Sequence, residues 1–482
     1  MTPLFSRLLA LAHDNHAAFY APGHKGGQGI FSGLAQVWGK EIFRADLPEL
    51  PDLDNLFAPE GVILEAQTLA AETFGADQTW FLVNGSTCGI IAAILATVGE
   101  GEKILLPRNI HQSAISGLIL SGAMPVFVNP PYDPTWDLSY GLTPESVELA
   151  FQTHPDIKAV LALSPTYQGV CPDLKAIAAI TQRRNIPLIV DEAHGSHFKF
   201  HPNFPPTALE LGADVVIQST HKTLGAMTQA SMLHLRGTRV DPQKINRALQ
   251  LVGSTSPSYL LLASLDAARA QMATMGETLW LETFALAQQA RQTLASIPGL
   301  KIFDPQPQTG IEYFDPTRLT IDVSGLGLTG YAADEILTEP FGVIAELPLG
   351  RSLTFILTFG NTEQDIQRLI NAFQKLSQNN QAQYPLDRPK IPTTQPETCY
   401  GLPQLSPRQA FFATSRAVAL EASLNQICAE LICPYPPGIP AMMPGEKITA
   451  ATLASLRQTL QLGGVITGAN DPSLNTIRVI DY

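Results

Sequence analysis

A lysine directly after a histidine, Lys222 in "QSTHKTLGAMTQ", stands between two apolar, strand-like stretches. A second such stretch, "LIVDEAHG", closes with Asp191 and places His194 just behind it. Earlier, "FLVNGSTCGIIAAIL" reads as strand, then a turn with Gly85, Ser86 and Thr87, then helix. That turn can hold a phosphate, because free N–H groups at a helix N-terminus attract anions and the hydroxyls add donors. An imidazole, His111 in "RNIHQSAISG", falls between the turn and the acid, so the chain order is phosphate turn, aromatic ring, acid, amine.

Each piece alone has an ordinary reading. A lysine after a strand is commonly a solvated charge, an aspartate closing a strand is a turn former or N-cap, "NGST" is a common turn and cap, and His111 suits a helix cap. Together they meet the needs of one cofactor. Pyridoxal 5′-phosphate requires an amine to join its aldehyde, a carboxylate to keep its ring nitrogen protonated as an electron sink, and a cradle for its phosphate.

The elements that would position these groups follow from periodicity. From about residue 79 to 236, strand-like runs ("TWFLVN", "KILLP", "MPVFVNP", "IKAVLALSP", "IPLIVDEAH", "DVVIQST", "QASMLHL") alternate with helical segments such as "TPESVELAFQTH" and "DLKAIAAITQRR". This alternation predicts an α/β fold with a largely parallel sheet, whose ligands sit beyond the carboxyl ends of the strands. A long helical stretch, "SYLLLASLD…LASI", follows. Residues 300–376 read as a smaller α+β domain, with strands at "RLTIDVS", "GVIAELPL" and "SLTFILTFG" and helices at "GYAADEIL" and "EQDIQRLINAFQKL". Residues 377–401, rich in Gln, Pro and Thr, read as a linker. Residues 402–482 read as a last unit, with a helix over "SPRQAFFATSRAVALEASLNQICAEL" and a stiff "PYPPGIP" segment in which each proline fixes φ. Residues 1–299 then form the N-terminal segment and large cofactor-binding domain.

Composition narrows the class. The 482 residues are 45% hydrophobic and only 15% charged, which fits packed globular domains rather than disorder. A net charge of −13 with no Lys/Arg-rich run leaves no footprint for nucleic acid, and such a molecule favours cationic small ligands. Five scattered cysteines without metal spacing argue against disulfides and zinc. With no apolar run long enough to span a membrane and no clean signal-peptide core, the expected address is the cytoplasm.

The ordered set "NGST", "RNIHQSAISG", "SPTYQGVCPDL", "VDEAHGSHF" and "STHKTLGAMTQ" resembles a fold-type-I pyridoxal-phosphate enzyme, specifically the Orn/Lys/Arg decarboxylase family. "APGHKGG", "DLPELPDLDNLFAPEGVILEAQ", "GSTSPSYLLLASLD" and "CPYPPGIPAMMPGE" extend the likeness from about residue 18 to the end. The chain looks like the short form without an N-terminal wing domain. It departs from the long forms at His194, where they carry tryptophan.

The resemblance implies roles. Lys222 would bond the cofactor's aldehyde, Asp191 would pair with the pyridine nitrogen, Ala193 would sit under the ring and His111 on its other face. Gly85, Ser86, Thr87, Ser219 and His221 would hold the phosphate, His194 would adjoin the cofactor, and Thr166 would face the phenolic oxygen. Thr255 or Ser256 would reach the phosphate of a neighbouring subunit, which implies a homodimer with shared active sites and leaves higher assembly open. The reaction implied is decarboxylation of arginine, lysine or ornithine to its amine, a polyamine precursor, with His111 or Lys222 returning the proton to Cα. Transamination or aldol cleavage on the same scaffold, and a non-catalytic relative, are the alternatives. A basic substrate leaving water requires a carboxylate partner; Glu346 is the first choice, with Asp46, Glu49, Asp52 and Asp54 behind it.

Overall fold

The computed structural model of the chain describes residues 1–383, 401 and 403–481. Most of the expected linker therefore lies outside the described residues. Seven strands carry the fold: β1 (Gln78–Leu82), β2 (Lys103–Pro107), β3 (Met124–Val128), β4 (Ile157–Leu163), β5 (Leu188–Asp191), β6 (Val215–Gln218) and β7 (Ser231–Leu235). Their order in a single sheet is β1-β7-β6-β5-β4-β2-β3. The pairs β2–β3, β2–β4 and β5–β6 are parallel, and β7 runs antiparallel to both β1 and β6. The α/β class with a mostly parallel sheet is as the sequence predicts. Strands β5, β6 and β7 are buried at every position, as expected of strands covered on both faces.

The chain divides into two compact units, Met1–Thr97 with Pro187–Pro202 and Pro206–Glu277, and Val98–Ile186 with Asn203–Pro205 and Thr278–Tyr482. In the first, helix Gly85–Thr97 follows β1 and the one-turn helix Thr220–Thr223 follows β6. In the second, helix Pro144–Thr153 starts at a capping box between Thr143 and Ser146, and helix Leu174–Arg183 at the Asp173 cap. These side chains satisfy N–H groups that the first helical turn leaves without partners. Helix Tyr259–Ala295 is the long helix read from the sequence.

The second unit also holds an antiparallel four-stranded sheet ordered Lys301–Ile302, Arg318–Asp322, Ser352–Ile356, Leu347–Pro348. It packs with helices Gly330–Phe341 and Glu363–Gln383 over a core that includes Leu319, Ile321, Leu353 and Phe373. The expected strand "GVIAELPL" shrinks to Leu347–Pro348, its first residue, Gly342, instead capping helix Gly330–Phe341 at a φ of +62°. Helix Glu363–Gln383 also continues into the stretch read as linker.

The C-terminal region corrects the sequence reading more strongly. The expected long helix is α-helical over Pro407–Phe412, with a 3-10 turn at Leu420–Ser423; between them Ser415–Ala419 is a strand paired with Thr476–Ile480. The capping box at Ser406 and Gln409 starts the helix as its residues suggest. Cross-strand partners from the β-branched run "TIRVI" then outweigh the helix preference of an alanine-rich segment.

Candidate active site

The first unit gathers most of the expected residues at strand ends. Asp191 is the last residue of β5 and only 4% exposed; its Oδ1 accepts from the Ala193 N–H at 3.1 Å. Burial pushes its carboxyl up from the ordinary range, while the charge of Lys222 and the Ala193 N–H pull it back. Lys222 lies on the short helix after β6, and its Nζ is 2.8 Å from His194 Nε2. His194 is thus the neighbour of the amine.

Ser219, the residue after β6, donates through Oγ to Ser86 Oγ at 2.8 Å. The two hydroxyls meet at the start of helix Gly85–Thr97, where Gly85 takes a φ of +75°, a conformation open to glycine at no steric cost. His221 is held by its Nδ1 on the Ala230 carbonyl at 2.8 Å, and burial with the nearby Lys222 charge lowers its pKa. Two buried hydroxyls on the Lys222 turn, of Thr220 and Thr223, have no hydrogen-bond partner among the described residues. Thr255 and Ser256 are exposed, on a loop tied back by Ser254 N–H to Asn84 Oδ1 at 2.9 Å.

Behind these strand ends runs a polar ladder that the sequence did not reveal. Thr79 on β1 pairs with His234 Nδ1 on β7 at 2.8 Å, and His234 Nε2 pairs with Gln218 Oε1 on β6 at 3.1 Å. Gln218 Nε2 donates to Glu192 Oε2 just past β5, and the Ala208 N–H donates to Oε1, both at 2.7 Å. The rungs follow the sheet order β1-β7-β6-β5. Burial pushes Glu192 up to about 8 and His234 down to about 3, so each is neutral near neutral pH. Nothing in "DEAHG", "VIQST" or "SMLHL" announces this, because the partners meet only once the strand order is known.

The second unit holds His111 and Thr166. His111 caps helix Gln112–Ser121: its Nδ1 accepts from the Ser113 N–H at 3.2 Å and lies 2.9 Å from Ser113 Oγ. The ordinary cap reading is therefore realised. Thr166 is buried in a tight turn, its N–H bonded to the Val170 carbonyl and its Oγ1 accepting from the Val170 N–H.

The segment "PYPPGIP" lies against both. Gln112 N–H donates to the Gly438 carbonyl at 3.1 Å, and Tyr167 Oη donates to the Pro437 carbonyl at 2.9 Å. Gly438 has a φ of +81°, and a Cβ there would stand 3.4 Å from His111 Nε2. Arg108 fixes the segment further, donating to the Pro440 and Ala441 carbonyls and to Glu446.

The candidate substrate carboxylates are placed as follows. Glu346 is exposed on a surface cleft shared with Arg368 and Asp365. Asp46 pairs with His24 Nε2 at 3.0 Å and Asp52 with Arg7 at 2.7 Å. Glu49 accepts from Asn55 and Leu56, and Asp54 accepts from five backbone N–H groups that hold its carboxyl below the ordinary range. Asp54 is thus spent on ordering residues 55–64. Among the described residues no group of three or more His, Cys, Asp or Glu is arranged for a metal, and no helix is long and apolar enough to cross a membrane. Among the described residues, Cys88, Cys171, Cys428 and Cys433 form no disulfide.

Comparison with known proteins decides the family. The model of the Orn/Lys/Arg decarboxylase major domain matches residues 2–365, and that of the C-terminal domain of the same family matches residues 396–463. The chain belongs to this family. It is 41% identical to an arginine decarboxylase of Halalkalibacterium halodurans, over 99% of this chain and 97% of that one. It is 38% identical to an arginine decarboxylase of Bacillus subtilis, covering 99% and 98%. The crystal structure of the Francisella novicida lysine decarboxylase superposes with a TM-score of 0.85 at 22% identity, covering 100% of this chain and 81% of that one. That likeness concerns the fold.

Proposed function

We propose that this Orn/Lys/Arg decarboxylase family member decarboxylates L-arginine to agmatine and CO2 with pyridoxal 5′-phosphate. The observation that carries the reading is the joint placement of Lys222 beside His194, Asp191 buried at the next strand end, and the Ser86–Ser219 hydroxyl pair at a helix start. Relatives named arginine decarboxylase match over nearly the whole chain, which favours arginine over lysine and ornithine.

The residues fit the cofactor by donor chemistry. Ser86, Ser219 and the first N–H groups of helix Gly85–Thr97 suit a phosphate; Lys222 suits the aldehyde; Asp191 suits a protonated ring nitrogen, since a buried carboxylate is stabilised by a cation at short range. Bound there, pyridoxal phosphate would supply the electron sink for the pair left on Cα when CO2 departs. Lys222 would hold the cofactor between turnovers, and the His194 ring would orient its Nζ. The Cα–carboxylate bond breaks, CO2 leaves, and Cα gains a proton from Lys222 or His111. The family likeness also supports a polyamine-forming role in the cytoplasm. It further supports a homodimer in which Thr255 or Ser256, both exposed, serves the partner's phosphate site.

Two measurements test the reading. Borohydride reduction and peptide mapping should find the pyridoxyl group on Lys222 and none in Lys222→Ala; an adduct on another lysine would overturn the assignment. Product analysis with arginine, lysine and ornithine should give agmatine and CO2 at the highest kcat/KM, whereas a keto acid product would establish transamination instead.

A further inference from the structure

A cavity of about 230 Å³ lies wholly in the second unit, lined by residues that include Asp137, Asn109, Thr166, Tyr167, Leu349 and Pro437. That is far more space than one bridging water needs, and its walls are mostly apolar with a few polar groups, the composition of a small-molecule site. We propose that this cavity receives the cationic end of the basic amino acid, and of the amine made from it, with Asp137 as counter-charge and Asn109 as neighbouring acceptor. The proposal rests on the reading of the chain as a basic amino acid decarboxylase.

Three observations support it. Among the described residues, Asp137 takes one hydrogen bond, from Tyr132 Oη across the hairpin Tyr132–Asp133 and Leu138–Ser139. Burial pushes its carboxyl up in spite of that bond and of the charge of Arg351, so the carboxylate is short of positive partners. Arg351 cannot make up the deficit fully, because its Nε and Nη2 are both engaged by Asp322; Asp133, the other acid of the hairpin, is bound by Tyr140 Oη. Asn109 donates through Nδ2 to the Tyr140 carbonyl at 3.0 Å, which fixes the amide and leaves Oδ1 buried without a partner among the described residues. Such an acceptor costs stability until a donor reaches it, and a guanidinium or ammonium brings several. Thr166, expected to face the cofactor, lines the same cavity. Nothing in the sequence marks Asp137, which holds a positive φ of +57° between the two hairpin strands.

The test is Asp137→Asn in the holoenzyme, which keeps an oxygen for Tyr132 Oη and removes the charge. A lost charge-assisted hydrogen bond predicts a KM for arginine raised about tenfold or more, kcat within about threefold, and an agmatine inhibition constant raised in parallel. The wild-type enzyme should bind agmatine about tenfold or more tightly than its urea analogue, which keeps the shape and loses the distal charge. Unchanged KM and agmatine inhibition in the variant, or equal binding of the urea analogue to the parent, would overturn the proposal while leaving the decarboxylase reading intact. If the parent makes no amine from arginine, lysine or ornithine, the functional reading fails instead. The cavity is then judged by calorimetry with agmatine, cadaverine and putrescine: binding lost in Asp137→Asn sustains it, and no binding to the parent or equal binding to both rejects it.

Discussion

Behind the Lys222 face of the first unit, Thr79, His234, Gln218 and Glu192 join strands through groups that are neutral near pH 7. In the second unit, Arg108 and Glu446 do a comparable task with full charges, 3.1 Å apart and with side chains only 2% and 3% exposed. The ladder satisfies its members in sequence and asks little of desolvation. The ion pair loses two hydration shells and is held by added bonds: Arg108 reaches the Pro440 and Ala441 carbonyls, and Glu446 accepts from the Met443 N–H. Burial still pushes the Glu446 carboxyl up against the opposing charge of Arg108. The difference shows two ways of holding site-forming segments. A neutral ladder ties strands already aligned by the sheet, whereas a charged clasp pins an irregular proline segment that has no ladder of its own to align it.

The largest effect should come from breaking the clasp. Arg108→Met leaves Glu446 buried without its cation and two carbonyls without donors, which predicts a loss of about 3–5 kcal/mol in unfolding free energy from urea titration. Adding Glu446→Met should recover most of that loss, since an apolar pair of similar volume is commonly as stable as the ion pair it replaces. A single variant as stable as the parent would show that the clasp contributes specificity and not stability.

The two networks were unequally legible in the sequence. Lys222, Asp191, Ser86 and Ser219 stood out because polar residues interrupted apolar runs; each alone has an ordinary reading, and only their order along the chain pointed to one cofactor. Glu192 and Gln218 sit next to those residues in the chain yet read as ordinary polar neighbours. Their pairing depends on β7 running antiparallel between β1 and β6, which period-2 patterning does not encode. Arg108 and Glu446 are 338 positions apart, and no local signal links them. The long C-terminal helix failed for a related reason: composition favoured helix, and the strand partner Thr476–Ile480 lay far down the chain.

A smaller effect should follow from cutting the ladder. Gln218→Leu removes the donor to Glu192 and the acceptor for His234 while keeping an apolar side chain of similar size on a buried strand. An unsatisfied buried group costs about 1–3 kcal/mol, so the variant should unfold at lower urea than the parent but at higher urea than Arg108→Met. Because the Gln218 bond lowers the Glu192 pKa, its loss should also drive that carboxyl further up.

The finest test separates the two kinds of network by pH. The folded pKa of Glu192 is about 8 against about 4.3 for an unfolded chain, so between those values the folded state holds a proton that the unfolded state has released. Stability linked to Glu192 is therefore fully present below about pH 4.3 and is lost as pH rises toward 8. His234, lowered to about 3, acts in the opposite sense, but only below its unfolded value of about 6.5. From about pH 6.5 to 8 the Glu192 contribution stands without that offset. Glu192→Gln removes the titration, so the unfolding free energy of the variant relative to the parent should rise with pH across this window, by up to about 1.4 kcal/mol per unit. Urea midpoints at pH 6.5, 7.2 and 8.0 measure the difference, in which groups common to both proteins cancel. A constant difference across the three values would mean that Glu192 is ionised throughout and that the ladder, like the clasp, is charged.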